Sequence, residues 1–291
     1  MLDVRRLHLL RDLARLGTIA AVADAHAYTP SAVSQQLAAL QRQAGVPLLV
    51  RTGRRVALTP AGTALVRHAE TVLAELEAAT ATLSAARTGL SGTVRIGAFP
   101  SAVRTLLPAA LVALGREHPG LDLTVIELDP VAVPAALRER RLDVALTHDY
   151  DVAPAAPDPG LQATPVLEET VFLASPDGRA LDGARDADWI LGSPGTLCHT
   201  VALRTCEAAG FTPRVRHHAD DFTAVLALVA AGQGVALVPQ LGAEAPPAGV
   251  GLVALDTRRR THVAYRRGAG DHPAVAACVA AIRTVTGAYL G

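Results

Sequence analysis

The chain has 291 residues, half of them hydrophobic, with 27 basic and 27 acidic side chains and no formal net charge. That length fits two or three packed units and excludes a disordered chain. The neutral total excludes a uniformly basic protein, yet residues 1–60 hold eight arginines against three acids, a local +5 that leaves −5 for the remainder.

A basic end on an acidic body is the asymmetry expected where one end meets a polyanion. The first residues, MLDVRRLHLLRDLARLG, scatter charges through their apolar positions, which is not a secretory signal. No apolar run approaches the roughly 18 residues of a spanning helix, so a cytoplasmic location with no membrane partner is expected. Cys198, Cys206 and Cys278 are too few and too irregular for a disulfide scaffold.

The first element reads as a helix from Asp3 to about Leu16, with Val4, Leu7, Leu10, Leu13 and Ala14 as its apolar stripe and Gly17 as its stop. Thr18 caps a short alanine-rich helix, and a turn through Ala27 and Tyr28 leads to TPSAVSQQLAALQRQAG. There Thr29 caps, Pro30 takes the first helical position, and Val33, Leu37 and Leu40 recur at buried-face spacing. Ser31, Ser34, Gln35, Ala38 and Arg42 lie opposite. A small-residue helix, a tight turn and a capped amphipathic helix form the helix-turn-helix pattern. Short hydroxyl and amide side chains at such a helix start can bond base edges without repelling phosphates; on an isolated helix they would simply face water.

GVPLLVRTGRRVALTPAG follows. It reads as two short strands around a basic turn, a β-hairpin wing with Arg51, Arg54 and Arg55 placed for phosphates or the minor groove. A long helix then runs from Pro60 to about Ala86. Leu65, Ala69, Val72, Leu76, Ala79 and Leu83 follow steps of four and three, the spacing of a coiled-coil seam. Leu65, Val72, Leu76 and Leu83 are its dimerisation candidates, with residues 88–92 as a linker.

Residues 17–62 resemble, without a gap, the LysR-type transcriptional regulators. The helix start TPSAVSQQL is similar to that family's Ser-Gln-Pro-Ala-Val-Ser-Arg-Gln-Ile pattern, and the wing is a close match. The resemblance implies an α/β protein with an N-terminal winged helix-turn-helix over residues 1–59, a dimerising linker helix over 60–91, and a two-lobe, periplasmic-binding-protein-like effector domain over 92–291. Lobe I would span about 92–162 plus 266–291 and lobe II about 163–265. It implies that Ser31, Ser34 and Gln35 approach the bases while Arg51, Arg54 and Arg55 hold the backbone, with Thr29 and Pro30 also on the DNA-binding surface. Three positions depart from the pattern: His26 replaces an apolar residue, Leu49 a phenylalanine and Gln35 a frequent arginine. The implied partners are double-stranded DNA, a small-molecule effector, further copies of the chain as a dimer or tetramer, and RNA polymerase. No cofactor, metal or catalysis is implied.

From Gly92 the period changes. GTVRIGAF, LDLTVIEL and LDVALTHD are strand-like runs with helical segments between them, so a parallel sheet with helices on its faces is expected. A similar set follows Ala163, including ADWILGSPG, a helix from about Thr200 to Ala209, RVRHHAD, FTAVLALVAAG and GVALVPQ. Ligands of open α/β sheets sit beyond the carboxyl ends of strands. Three loops qualify: 100–102, 147–149 and 195–196. The resemblance puts Ser101 and Thr196 in the cleft between lobes, with Thr147 and Phe222 as weaker candidates; His148, in the 147–149 loop, is a further effector candidate. Ser101 and Thr196 read equally as ordinary N-caps. Helix-start hydroxyls suit a carboxylate or another small anion, whereas His148 and Asp149 suit a polar cation or a sugar.

Rival readings rest on CHTVALRTCEAAG and RHHADD. Cys198, His199, Cys206, His217, His218, Asp220 and Asp221 are all soft-metal or redox residue types. The two cysteines lie eight apart, about two helical turns, and the adjacent histidines point to opposite sides of a strand. A Ser193, His217 and Asp220 triad can be assembled on paper, but GSPG is not a nucleophile elbow. The body alone would also suit a solute-binding module or a metal or thiol sensor.

Overall fold

Asp3 accepts bonds from the N–H groups of Arg5 and Arg6 and so starts α1 (Val4–Leu16), which Gly17 closes in the left-handed region at φ 74°. The computed structural model describes residues 1–52, 55–85 and 90–289, excluding the side chains of residues 51, 52 and 55. The chain forms two compact units, Met1–Ser84 with Arg267–Asp271, and Ala85–Arg266 with His272–Gly291.

In the first unit Thr18 caps α2 (Ile19–Ala25) and Thr29 caps α3 (Pro30–Ala44), with Gly45 at φ 70° ending the latter. Leu7, Leu9, Leu10 and Leu13 of α1 are buried with Val33, Leu37 and Leu40 of α3. Each fully buried leucine contributes about 1.5–3 kcal/mol. The α1 stripe differs from the expected one, since Val4 and Ala14 are exposed and Leu9 is buried. The helix packs against both α2 and α3, which widens its covered face. Strands β1 (Leu49–Thr52) and β2 (Arg55–Leu58) pair antiparallel. The Gln41 side chain of α3 accepts the N–H groups of Leu48 and Leu49, each at 2.9 Å, which fixes the wing to the helix. Thr59 accepts the Gly62 N–H at 3.0 Å at the start of α4 (Pro60–Ala85). A Cβ on Gly62 would overlap the Leu48 carbonyl, so only glycine lets this helix lie so close to the wing.

In the second unit β3 (Gly92–Ala98) is followed by α5 (Pro100–Thr105), α6 (Leu107–Glu117), β4 (Leu121–Glu127), α7 (Val133–Arg138) and β5 (Val144–Tyr150). Then come β6 (Leu161–Ser175), β7 (Asp188–Leu191), α8 (Leu197–Ala208), β8 (Arg214–His218), α9 (Phe222–Ala230), β9 (Ala236–Pro239), β10 (Gly251–Arg266) and α10 (Pro273–Tyr289). One sheet has the order β4-β3-β5-β10-β6-β9, and β7 pairs with β8 in a second.

The parallel pairing expected of β3, β4 and β5 is present. The sheet continues beyond these strands in the other sense, since β10 runs antiparallel to both β5 and β6, and β9 antiparallel to β6. Antiparallel neighbours need no crossover helix, so β10 can return between two strands laid down earlier. It pairs with β6 from Gly251↔Ser175 to Arg266↔Leu161, a continuous ladder broken by two register shifts. Two further details differ. Thr147, His148 and Asp149 lie inside β5 rather than in a loop after it, and α8 starts at Leu197, earlier than Thr200, because Thr196 caps it by accepting the His199 N–H.

Candidate functional site

The start of α3 presents Thr29, Pro30, Ser31, Ser34 and Gln35 to solvent, while Val33, Leu37 and Leu40 on its other side are fully or almost fully buried. The exposed face carries no acid, and Thr29 satisfies the Ala32 N–H at 3.2 Å. Polar hydrogen-bonding groups therefore project from a helix that its core holds rigidly. Arg51 and Arg55 occupy wing strand positions, opposite Val56 and Thr52. Their side chains, and Arg54 altogether, lie outside the described residues.

Along α4 the four seam residues, three leucines and a valine, divide. Leu65 packs against the core of the first unit, whereas Val72, Leu76 and Leu83 are 39%, 46% and 73% exposed. Three large apolar side chains in solvent on one helix are costly unless something covers them.

In the second unit a cavity of about 240 Å³ opens beyond the carboxyl ends of β3 and β4. Phe99 and Ser101 come from the turn into α5, His148 from β5, Thr196 and Cys198 from the start of α8, and Phe222 from the start of α9. Four of the five effector candidates, Ser101, His148, Thr196 and Phe222, are thus brought together. Thr147 is not among the lining residues, since alternation along β5 turns it away from His148.

The residue that sequence reasoning missed is Arg259. Along β10 Thr257, Arg259, Thr261 and Val263 are buried while Arg258, Arg260 and His262 are partly exposed, so the middle arginine of an RRR run points inward. Arg259 is 0% exposed and lines the cavity. Its Nε meets the Glu169 carboxylate, itself 2% exposed, and its Nη2 donates to Ser101 Oγ at 3.2 Å. Its guanidinium carbon stands 4.8 Å from the centre of the Phe99 ring. Burial opposes the Arg259 charge, and the Glu169 carboxylate more than restores it. Nη1 of Arg259 has no hydrogen-bond partner, nor has Nδ1 of His148. Burial, reinforced by Arg259 and His262, pushes the His148 imidazole well below its ordinary value and keeps it neutral. The period-two spacing of Thr257, Arg259, Thr261 and Val263 puts Arg259 on one face of a strand, but nothing local says which face is covered.

Among the described residues, the sulfur and histidine groups of this region do not gather into a metal-sized cluster. Cys198 and Cys206 lie on the same helix, and burial raises both thiols, that of Cys206 to about 12. The Cys198 sulfur is 4.0 Å from the Tyr150 hydroxyl. His199 and His218 each place Nδ1 2.9 Å from the same Gly192 carbonyl, so both rings donate there. Ser193 bonds Asp220 directly, at 2.6 Å, with no imidazole between them.

A different cluster appears in the first unit, where His8, Asp12 and His26 bring their ligand atoms within 4.8 Å of one another. Arg11 and Arg15 share the Asp12 carboxylate at 3.0 and 3.3 Å, and His26 Nε2 lies 2.7 Å from it. Two guanidiniums already supply the positive charge a metal would bring, so the arrangement is an ion-pair junction. Burial alone would raise the Asp12 carboxyl; its bonds and charges from His8, Arg11, His26 and Arg15 outweigh that and hold it far below the carboxylate range.

Residues 4–63 match the family described as bacterial regulatory helix-turn-helix protein, lysR family, and residues 87–287 match the LysR substrate binding domain. The chain belongs to the LysR family. It is accordingly a DNA-binding transcriptional regulator with a helix-turn-helix and an effector-binding domain, and not an enzyme. A relative from Mycobacterium avium, described as a probable hydrogen peroxide-inducible genes activator, is 34% identical over 227 residues, or 75% of this chain and 71% of its own. The transcriptional dual regulator GltC of Bacillus subtilis (strain 168) is 28% identical over 243 residues, or 82% of this chain and 81% of its own. Full-length BenM superposes with a TM-score of 0.59 at 22% identity, covering 99% of this chain and 98% of that one. CbnR complexed with its target DNA gives 0.53 at 22% identity, covering 98% and 100%. These two structures share the LysR fold. Among the described residues no helix is long and apolar enough to cross a membrane.

Proposed function

We propose that this LysR regulator reads a partly palindromic promoter site with paired winged helices and answers to a small molecule held in the cavity of its second unit. Ser31, Ser34 and Gln35, with Thr29 and Pro30 at the helix start, approach base edges in the major groove, and Arg51, Arg54 and Arg55 hold the phosphate backbone. The observation that carries the reading is the exposed, acid-free polar start of α3 on a helix whose opposite side is sealed into the core.

Residues 1–59 form the reading head, 60–91 the linker helix and 92–291 the effector domain. Exposed Val72, Leu76 and Leu83 support dimerisation through α4, and a dimer or tetramer matches the two-fold symmetry of a palindrome. RNA polymerase is the proposed downstream partner, and the protein works in the cytoplasm, where the chromosome is. The effector shifts DNA binding only if it prefers one arrangement of the chain over another.

A peroxide response, as in the name of the Mycobacterium avium relative, is not part of this reading. Burial raises the Cys198 thiol away from its reactive thiolate form, and Cys206 sits about 12 Å further along the same helix. The test is retention of random DNA duplexes by the purified chain, followed by sequencing. Enrichment of an inverted repeat is expected; retention with no motif would overturn the reading.

A further inference from the structure

The cavity has two chemically opposite ends. At its floor the fully buried Arg259 offers Nη1 without a partner, next to Ser101. The first turn of α8 adds to it, because Thr196 caps the His199 N–H and leaves the N–H groups of Leu197 and Cys198 without partners inside the helix. These are donors arranged for an anionic oxygen pair.

At its rim, Glu127, Asp129 and Asp220 line the same cavity, Asp220 with both oxygens bonded to Ser193 and Asp129 with one on the Val131 N–H, and Arg259 is the one arginine among the described residues that line it. Glu169 already balances the Arg259 charge, and the neutral His148 adds none, so the cavity carries excess negative charge. A dianion or a phosphate ester would satisfy the floor and be repelled by the rim. A plain amine would satisfy the rim and leave the buried guanidinium N–H unmet. The Phe99 and Phe222 rings give the middle of the cavity an apolar wall, and about 240 Å³ lies below the roughly 300–1,000 Å³ of pockets for drug-sized ligands.

We infer that the effector is a small amino acid with an apolar side chain, its carboxylate on Arg259 Nη1 and Ser101 and its ammonium toward Asp129 and Glu127. The inference rests on the cavity being the effector site of this regulator. The salt-bridged floor receives the carboxylate, the acidic rim receives the ammonium, and the aromatic walls receive the side chain.

Isothermal titration calorimetry of the full chain without DNA tests this against the apolar amino acids from alanine to phenylalanine. Each is titrated beside its des-amino acid and its decarboxylated amine. At least one amino acid should bind tenfold or more tightly than both of its analogues. The double variant Glu127→Gln, Asp129→Asn should weaken that amino acid about tenfold and strengthen its des-amino acid. Binding led by a des-amino acid or an amine, no binding by any amino acid, or an unchanged ratio in the double variant would overturn the inference. Because no DNA is present, a chain that selects an inverted repeat yet binds no amino acid refutes the ligand class alone. A chain that binds an amino acid and selects no DNA motif refutes the regulator reading alone.

Discussion

Each unit of the molecule buries a charged cluster, and the two are finished differently. Around Asp12 both carboxylate oxygens are taken, one by Arg11 and Arg15 and the other by His26. Around Arg259 the carboxylate of Glu169 and the Ser101 hydroxyl occupy two nitrogens, and the third has nothing to bond. A closed cluster ties elements together, here α1 to the end of α2. An open one beside a cavity is poised to receive a ligand. The same chemistry therefore serves structure in the first unit and recognition in the second.

Removing the counter-ion is the strongest way to break this comparison. Glu169→Ala leaves a buried guanidinium unpaired and should cost the second unit about 3–5 kcal/mol, read as a shifted midpoint in urea. Asp12→Ala should cost the first unit about 2–3 kcal/mol, less because His26 and Arg15 are partly exposed and can turn to water. If Asp12→Ala cost more than Glu169→Ala, the Asp12 junction would be the more deeply committed of the two.

Acid separates the units further. His148 has a folded value below its unfolded one, so the unfolded chain binds the extra proton and stability falls as pH drops below about 6.5, by about 1.4 kcal/mol per pH unit until the folded value is reached. Asp12 is also depressed, but its contribution is intact above about pH 4 and is lost only below that, as pH falls toward its folded value. Chemical denaturation followed separately for each unit should show the second weakening first, and His148→Phe should remove the loss between pH 6.5 and 4. The smallest effect concerns the turn between α2 and α3, where Ala27 sits at φ 52°. Ala27→Gly relieves that left-handed residue and should stabilise the first unit by about 1 kcal/mol.

Legibility followed the same division. The caps Thr18 and Thr29, the stops Gly17 and Gly45, and the extent of α4 were readable because each depends on residues within a few positions. The place of β10 between β5 and β6 was not, since strand partners are chosen far along the chain and local periodicity is silent about them. Arg259 was hidden for that reason: its inward position depends on β10 being covered on the cavity side. His26 was visible as a departure from the family pattern, but its bond to Asp12 needed α1 and α2 in place. Ser101 and Thr196, which line the cavity, were legible as hydroxyls near helix starts that follow strands, whereas Phe222 was named only through the family resemblance.

The central claim, that the bare face of α3 reads bases while the wing holds phosphates, is tested most directly by salt-dependent titration of Gln35→Ala and Arg54→Ala on selected and random duplexes. Gln35→Ala should change base preference at one position of each half-site and keep the salt slope. Arg54→Ala should weaken every duplex alike and flatten the slope by about 1. Equal losses on selected and random DNA for both variants, with the same salt slope, would contradict the account.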